Sequence, residues 1–152
     1  MFVKEMDVDG EKVKMYLWDT VGMETYDSIT TQNYKEGDGI IIVYDITVLR
    51  SFTHLTKWMG YVETHANADN ITLMLLGSKL DLEHKREVAT DEGQKFADHY
   101  NIKHFFEVSA KSGDNVSEAF EEFSVEVHRK AQGTHPTPDP PPRTNSGKKC
   151  CF

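Results

Sequence analysis

The chain has little of what builds disulfides, helix kinks or membrane spans. Only two of its 152 residues are cysteines, the neighbours Cys150 and Cys151, so they cannot cross-link distant parts of the chain. All five prolines follow Gly133. No apolar run approaches the roughly 20 residues of a membrane helix, and residues 1–12 carry no signal-peptide pattern. We therefore expect a body located in the cytosol or nucleus, without a disulfide framework.

Positive charge is also scarce. The net charge is −8, and the stretch from Gly133 onward holds three basic residues against one acidic, which gives +2. The body then keeps 14 basic against 24 acidic residues, or −10. Such a body does not suit a nucleic-acid backbone and is repelled by an anionic membrane surface. Nucleic acid is excluded as an expected partner, and any membrane attachment must come from something other than the body's charge.

Composition divides the chain near residue 131. Residues 1–131 alternate apolar runs with helical patterns and predict one folded domain. Residues 132–152 hold every proline and few core-forming side chains, a composition that cannot bury enough surface to offset the entropy of ordering. We predict a flexible, proline-rich tail there.

The pattern of the body predicts an α/β fold. Two extended runs, Phe2–Val8 and residues 13–18, flank Asp9-Gly10, which indicates a hairpin. The continuous apolar runs at Gly39–Asp45 and 71–77 are typical of strands buried on both faces in a parallel sheet, and residues 104–108 predict a shorter strand. Helical patterns lie between them, one of them capped by Thr90. We expect a mostly parallel sheet with one antiparallel hairpin and helices on both faces.

Polar motifs follow three of these strands, where open α/β sheets bind ligands. They are DTVG at 19–22, SKLD at 78–81 and SAK at 109–111. Asp19 is suited to hold Mg²⁺ through water, and Gly22 lets a backbone N–H approach a phosphate. Taken singly, charged residues here are more often solvated loop charge; their shared placement favours one nucleotide-binding rim.

The second and third motifs suit a guanine base. The Asp81 carboxylate accepts two hydrogen bonds, which matches the two adjacent donors of guanine and not the edge of adenine. Lys79 and Lys111 have aliphatic stems that can cover the base faces. The Ala110 N–H can donate to a base carbonyl, and the neighbouring residues of the two motifs are Ser78 and Ser109.

In this order the three motifs resemble those of small GTPases, and WDTVGMETYDSIT at 18–30 resembles the Rab family. The resemblance extends from Phe2 to the C-terminus. It implies a P-loop GTPase fold, GTP or GDP with Mg²⁺ as cofactor, and a partner-binding aromatic patch at Phe2, Trp18 and Tyr34. It also implies effectors, Rab escort proteins and GDP-dissociation-inhibitor proteins as partners. The implied role is a vesicle-trafficking switch on the cytosolic face of intracellular membranes.

The departures from the Rab pattern concern the phosphates. The sequence contains no GxxxxGK[ST], so the P-loop and, by resemblance, the first strand are missing. Met23 stands where the family has the glutamine that orients water, and a thioether cannot do this. Ser78 replaces the usual Asn. We therefore expect no catalytic residue, weak nucleotide binding and defective hydrolysis, which leaves it open whether the chain is an enzyme.

The last residues resemble the Rab lipid anchor. Cys150 and Cys151 follow two lysines at the end of the tail, as Rab tails present a cysteine pair for geranylgeranyl groups. The ending Cys-Cys-Phe is not a C-a-a-X motif. Two lipid chains anchor stably where one anchors marginally.

Three alternatives stay open. The chain could be a lipid-anchored interaction protein that acts without nucleotide, or a fragment of a complete Rab. It could also be a receiver-type phospho-acceptor domain, since Asp45 and Lys111 both follow strands.

The resemblance also makes a structural prediction. The missing first strand would lie between residues 13–18 and Gly39–Asp45. The two strands could close up and pair directly, but we expect an open slot or a loosely attached hairpin, because helices spaced for a wider sheet resist collapse.

Overall fold

A β-hairpin opens the fold in the computed structural model, which describes residues 1–8, 10–19, 37–66 and 71–133 and, for the backbone, 148–151. Strands β1 (Phe2–Val8) and β2 (Glu11–Trp18) pair antiparallel, with Val8 opposite Glu11. Gly10 has φ +83°, a conformation that suits glycine, and its N–H donates to Asp7 Oδ1 at 3.0 Å. The predicted hairpin is confirmed, although Asp9 lies outside the described residues.

Strands and helices alternate through the rest of the body. The elements are β3 (Gly39–Asp45), α1 (Leu49–Thr53), α2 (Leu55–His65), β4 (Thr72–Ser78), a 3₁₀ segment (Leu80–Lys85), α3 (Thr90–His99), β5 (His104–Glu107) and α4 (Val116–Gly133). Strands β3, β4 and β5 pair in parallel. The apolar runs therefore form the parallel strands that their continuous hydrophobicity predicts.

Two apolar layers, one on each face of the sheet, hold the helices. On one face Tyr44 and Leu75 pack with residues of α2 and α3; on the other Ile41 and Met74 pack with Phe123 of α4. This confirms the predicted α/β class with helices on both faces.

The predicted cap of α3 is wrong by one residue. Ala89 is the N-cap, and its backbone N–H donates to Glu92 Oε2 at 2.9 Å. The Thr90 hydroxyl instead donates to Glu107 Oε2 at 3.0 Å, because the side chain lies against the end of β5.

A strand from the tail lies inside the sheet. The strand order is β1-β2-β6-β3-β4-β5, and β6 is Lys148–Cys151. It pairs in parallel with β2 from Met15 to Trp18 and with β3 at Gly39 and Ile40. The predicted empty slot is therefore wrong along the length of β6. Backbone groups of β2 and β3 that an empty slot would leave unpaired bond instead to a strand from the other end of the chain. The flexible tail predicted for 132–152 likewise does not include these four residues, and α4 continues to Gly133.

Strand β2 ends level with Ile40, because Trp18 and Ile40 both pair with Cys151. Strand β3 continues to Asp45, but its pairing with β6 ends at Ile40. Val43, in the centre of β3, is 45% exposed, which is unusual for a strand this far inside a sheet. Among the described residues, β3 from residue 41 onward therefore has no strand beside it on the β2 side.

Candidate functional site

Two of the three sequence motifs follow β4 and β5, which run in the same direction and end at one edge of the sheet, here called the rim. Asp19 follows β2, Lys79 and Asp81 follow β4, and Ser109 lies beyond β5. Strand β2 is three strand positions from β4, or about 14 Å at roughly 4.8 Å per strand. Trp18 is also level with Ile40, since both pair with Cys151, so β2 ends near the start of β3. The second and third motifs therefore meet at the rim, whereas the exposed Asp19 lies away from it.

Asp81 is held by the motif that follows β5. Ser109 is fully buried, and its hydroxyl donates to Asp81 Oδ1 at 2.7 Å. The Lys111 ammonium lies 3.9 Å from Asp81 Oδ2. The Asp81 side chain is 18% exposed, so its position is fixed while part of the carboxylate remains accessible. Such a group is an oriented acceptor with lone pairs to spare.

The loop after β5 is shaped around Ser109. The Ser109 N–H donates to the Asp114 carbonyl at 3.1 Å, and the Ser112 N–H donates to Ser109 Oγ at 3.2 Å. Gly113, at φ +87°, closes the loop by donating to the Ser109 carbonyl at 2.8 Å. Ala110 and the side chain of Lys111 are left exposed on this loop, beside Asp81.

Lys79 is positioned by its backbone and by a carboxylate on the next strand. It has φ +67° and ψ +39°, a left-handed conformation uncommon outside glycine and frequent at functional sites. Its Nζ lies 2.5 Å from Asp45 Oδ2 at the end of β3. The Lys79 side chain is 55% exposed, which leaves its stem open to a ligand.

Asp45 belongs to the rim, although the sequence motifs do not include it. Thr47 donates to Asp45 Oδ1 through its N–H at 2.9 Å and its hydroxyl at 2.7 Å. Burial acts to raise the pKa of Asp45, but the hydrogen bonds from Lys79 and Thr47 outweigh burial and hold that pKa below its ordinary value. The available signal was a carboxylate directly after the buried run GIIIVY, the placement shared by Asp19 after its own strand. Asp45 pairs with Lys79, and Lys111 lies beside Asp81.

Ser78 serves the backbone. Its hydroxyl donates to the Tyr44 carbonyl at 2.7 Å, and its carbonyl accepts the Ile46 N–H at 3.1 Å. Ser78 therefore ties β3 to β4 directly below Lys79.

An ion pair that sequence patterns did not reveal braces the rim from beneath. Arg86 donates to Glu107 through Nη1 at 2.6 Å and Nη2 at 2.8 Å, and the two side chains are 14% and 11% exposed. The hydrogen bonds that Arg86 donates to Glu107 and then to Glu83 raise the pKa of Arg86 further above its usual range. The pair joins the segment after Asp81 to the strand before Ser109.

Two of the three predicted partner-binding aromatics lie at one end of the hairpin. Phe2 is 69% exposed and is paired with Leu17, the neighbour of Trp18. The Trp18 indole N–H is buried and meets no acceptor among the described residues. Tyr34, like Gly22 and Met23, lies outside the described residues.

Within the described ranges no group of three or more metal-ligating side chains forms, so the Mg²⁺ role of Asp19 stays a prediction. No helix of the described chain is both long and apolar enough to span a bilayer. A cavity of about 390 Å³ lies at the starts of β4 and β5, against Thr72 and His104, on the edge of the sheet opposite the rim.

Sequence similarity to known proteins identifies the family of the chain. The profile of the Ras family matches residues 1–129. The chain is 37% identical over 154 residues to the Ras-related protein Rab-10 of Diplobatis ommata, covering 98% of this chain and 76% of the relative. The chain belongs to the Rab branch of the Ras family. It is also 44% identical over 118 residues to Rab-8B of Homo sapiens, and 43% identical over 134 residues to the GTP-binding protein yptV2 of Volvox carteri.

Coverage of these last two relatives is partial. The alignments span 78% of this chain and 56% of Rab-8B, and 88% of this chain and 61% of yptV2. What the complete relatives do is therefore carried over to this Rab-type chain only as a proposal.

The rim fits one half of a guanine nucleotide. Asp81 offers an oriented, partly accessible acceptor, and exposed lysine stems lie near it on the loops after β4 and β5. Of the residues predicted for the phosphates and Mg²⁺, the structure describes Asp19, which lies away from the rim. The fit is thus to the base, and the sequence contains no GxxxxGK[ST] for the phosphates.

Proposed function

We propose that this chain is a Rab-type protein of intracellular vesicle trafficking that recognises the guanine base of GTP or GDP through the rim. The observation that supports this most is the Ser109–Asp81–Lys111 arrangement, at 2.7 and 3.9 Å. Asp81 accepts the ring N–H and the amino group of guanine, while the Ser109 hydroxyl keeps the carboxylate from rotating. Lys79 and Lys111 cover the two faces of the base with their aliphatic stems.

Binding is weak and hydrolysis is defective in this proposal. Bound Mg²⁺-GTP would supply the phosphate chain and its counter-ion, with Asp19 as a water-mediated Mg²⁺ ligand and Gly22 beside a phosphate. Catalysis of phosphoryl transfer depends on positioning and on stabilising charge. This chain has no Walker lysine and carries Met23 in place of the family glutamine, so most of that stabilisation is lacking.

The proposal includes a lipid anchor and protein partners. Geranylgeranyl groups on Cys150 and Cys151 hold the protein on the cytosolic face of intracellular membranes, since the body's charge of −10 does not attract an anionic surface. Effectors bind the aromatic patch of Phe2, Trp18 and Tyr34. Rab escort and GDP-dissociation-inhibitor proteins handle the lipidated tail.

A second candidate is a lipid-anchored interaction protein that acts without nucleotide. Strand β6 favours it, because the slot beside the proposed phosphate region is partly occupied by the chain itself. A fragment of a complete Rab is the remaining possibility. The reading frame upstream of Met1 decides it, since a P-loop encoded there identifies a longer switch.

Calorimetric titration separates the two candidates. We expect Mg²⁺-GDP to bind far more weakly than the nanomolar range, yet better than Mg²⁺-ADP. Asp81→Asn should reduce the preference for guanine roughly 10-fold to 100-fold, since a charged hydrogen-bond partner contributes about 1.5–3 kcal/mol. Asp91→Asn is the matched control, an exposed aspartate paired with Lys95 on α3.

The outcomes are distinct. Nanomolar affinity refutes the weak-binding proposal. Equal affinity for GDP and ADP that Asp81→Asn leaves unchanged refutes guanine recognition and favours the interaction protein.

A further inference from the structure

Strand β6 contains both cysteines of the predicted lipid anchor, and it lies inside the sheet. Cys150 is paired with Leu17 on one side and with Gly39 on the other, and Cys151 is paired with Trp18 and Ile40. Both cysteines are thus flanked by strands on two sides of their backbone. The sheet around them carries helices on its two faces.

We propose that the slot between β2 and β3 is a strand-binding site for the chain's own residues Lys148–Cys151, and that docking there withholds Cys150 and Cys151 from modification until the strand is released. The docking part of the proposal rests on the sheet pairing, and the effect on cysteine modification rests on the proposed lipid anchor. The docked and lipidated tails are mutually exclusive states of one segment.

The direction and reach of the chain favour docking. Helix α4 ends beside the start of β2, where Gln132 Nε2 donates to Glu11 Oε2 at 3.1 Å. A strand that starts near that end and runs parallel to β2 needs no crossing of the sheet. Residues 134–147 extend to about 45 Å at most, which is ample for a link to Lys148 opposite Met15.

The charges and the unpaired backbone groups also favour docking of the tail strand. The tail carries +2 and the body −10, so the two attract each other. Both neighbouring strands present backbone N–H and C=O groups to the slot, and leaving such groups unpaired inside a sheet is costly.

The ladder is short enough to be reversible. It comprises four paired positions with β2 and two with β3, whereas β1 and β2 share seven. Local openings of this kind have lower free energies than global unfolding. A protein that holds the extended tail would therefore have a ladder of six paired positions to displace.

The lipid step requires that displacement. The Cys thiolate attacks the first carbon of an isoprenoid diphosphate, a C–S thioether bond forms, diphosphate leaves, and the thiol proton passes to solvent. The transferase must hold the cysteine in its own active site, and a residue hydrogen-bonded between two strands cannot be there.

Labelling of the native protein tests the proposal, because the chain's only two cysteines are in β6. The probe is a polyethylene-glycol maleimide too bulky to react within a sheet. Lys149→Pro should accelerate labelling at least ~10-fold, since proline removes a ladder donor and is not tolerated in central strands. Thr144→Pro is the control, as it adds a proline before the strand and leaves the strand intact.

A second measurement does not depend on how the variant folds. Amide exchange of residues 148–151 in the unchanged protein should be at least ~10-fold slower than in a peptide of residues 143–152. Equal labelling of the unchanged protein and Lys149→Pro, or unprotected amides, overturns the docking. If labelling is slow but a geranylgeranyl transferase with its escort protein modifies neither form, the lipid anchor is refuted and docking stands.

Discussion

Removing Glu107 should show how strongly the brace beneath the rim stabilises the fold. Glu107→Ala deletes two hydrogen bonds from Arg86, at 2.6 and 2.8 Å, and one from the exposed Thr90 at 3.0 Å, and it leaves a guanidinium that is only 14% exposed. Breaking a buried pair typically costs about 3–5 kcal/mol. The low end applies here, about 3 kcal/mol, because Arg86 keeps Glu83 and the Val88 carbonyl.

Urea unfolding followed by circular dichroism measures this loss. At a slope of about 2 kcal/mol/M the midpoint should fall by roughly 1.5 M. Glu83→Ala is the matched control, since it removes the other carboxylate that pairs with Arg86. The Glu83 side chain is 61% exposed. Because that carboxylate is screened by solvent, Glu83→Ala should move the midpoint much less than Glu107→Ala does. Equal midpoint changes in the two variants would refute the assignment of the stabilising interaction to the buried partner.

Two further substitutions test the strand ends and the packing of α4. The lowered pKa of Asp45 means that its contribution is present above the ordinary value of 3.8 and is lost as pH falls through the folded-state pKa. Melting temperatures below pH 4 should therefore fall less steeply in Asp45→Asn than in the unchanged protein, and parallel curves would contradict this. Gly39→Ala places a methyl group 2.7 Å from Phe123 Cζ and should cost about 1–3 kcal/mol in thermal unfolding. Gly60→Ala, in α2 with no atom within 4 Å, should be neutral or stabilising, and an equal loss there would argue against overpacking at Gly39.

The sequence was sufficient for the framework of the rim. Continuous apolar runs located β3 and β4, and the rule that parallel strands end at one edge brought Asp81 and Ser109 together, where they lie 2.7 Å apart. Such inference works because each step is local: a run forms a strand, and the residue after it reaches the edge.

Pairs that depend on three-dimensional approach could not be predicted in this way. Arg86 and Glu107 are 21 positions apart on different elements, and nothing in either neighbourhood selects the other. Lys79 and Asp45 differ in that each follows a predicted strand. The rule that parallel strands end at one edge could therefore have predicted their contact as well.

Strand β6 shows where local patterns fail altogether. The sequence KKCC follows a proline-rich stretch, and neither its lysines nor its neighbours favour a strand. Its extended conformation comes from outside: β2 and β3 present unpaired backbone groups at a spacing that one strand satisfies. Because such pairing uses backbone atoms, the segment that docks there need not have a strand-forming sequence. It needs reach, direction and the absence of proline, and Lys148–Cys151 meets these conditions with the same residues that the lipid anchor requires.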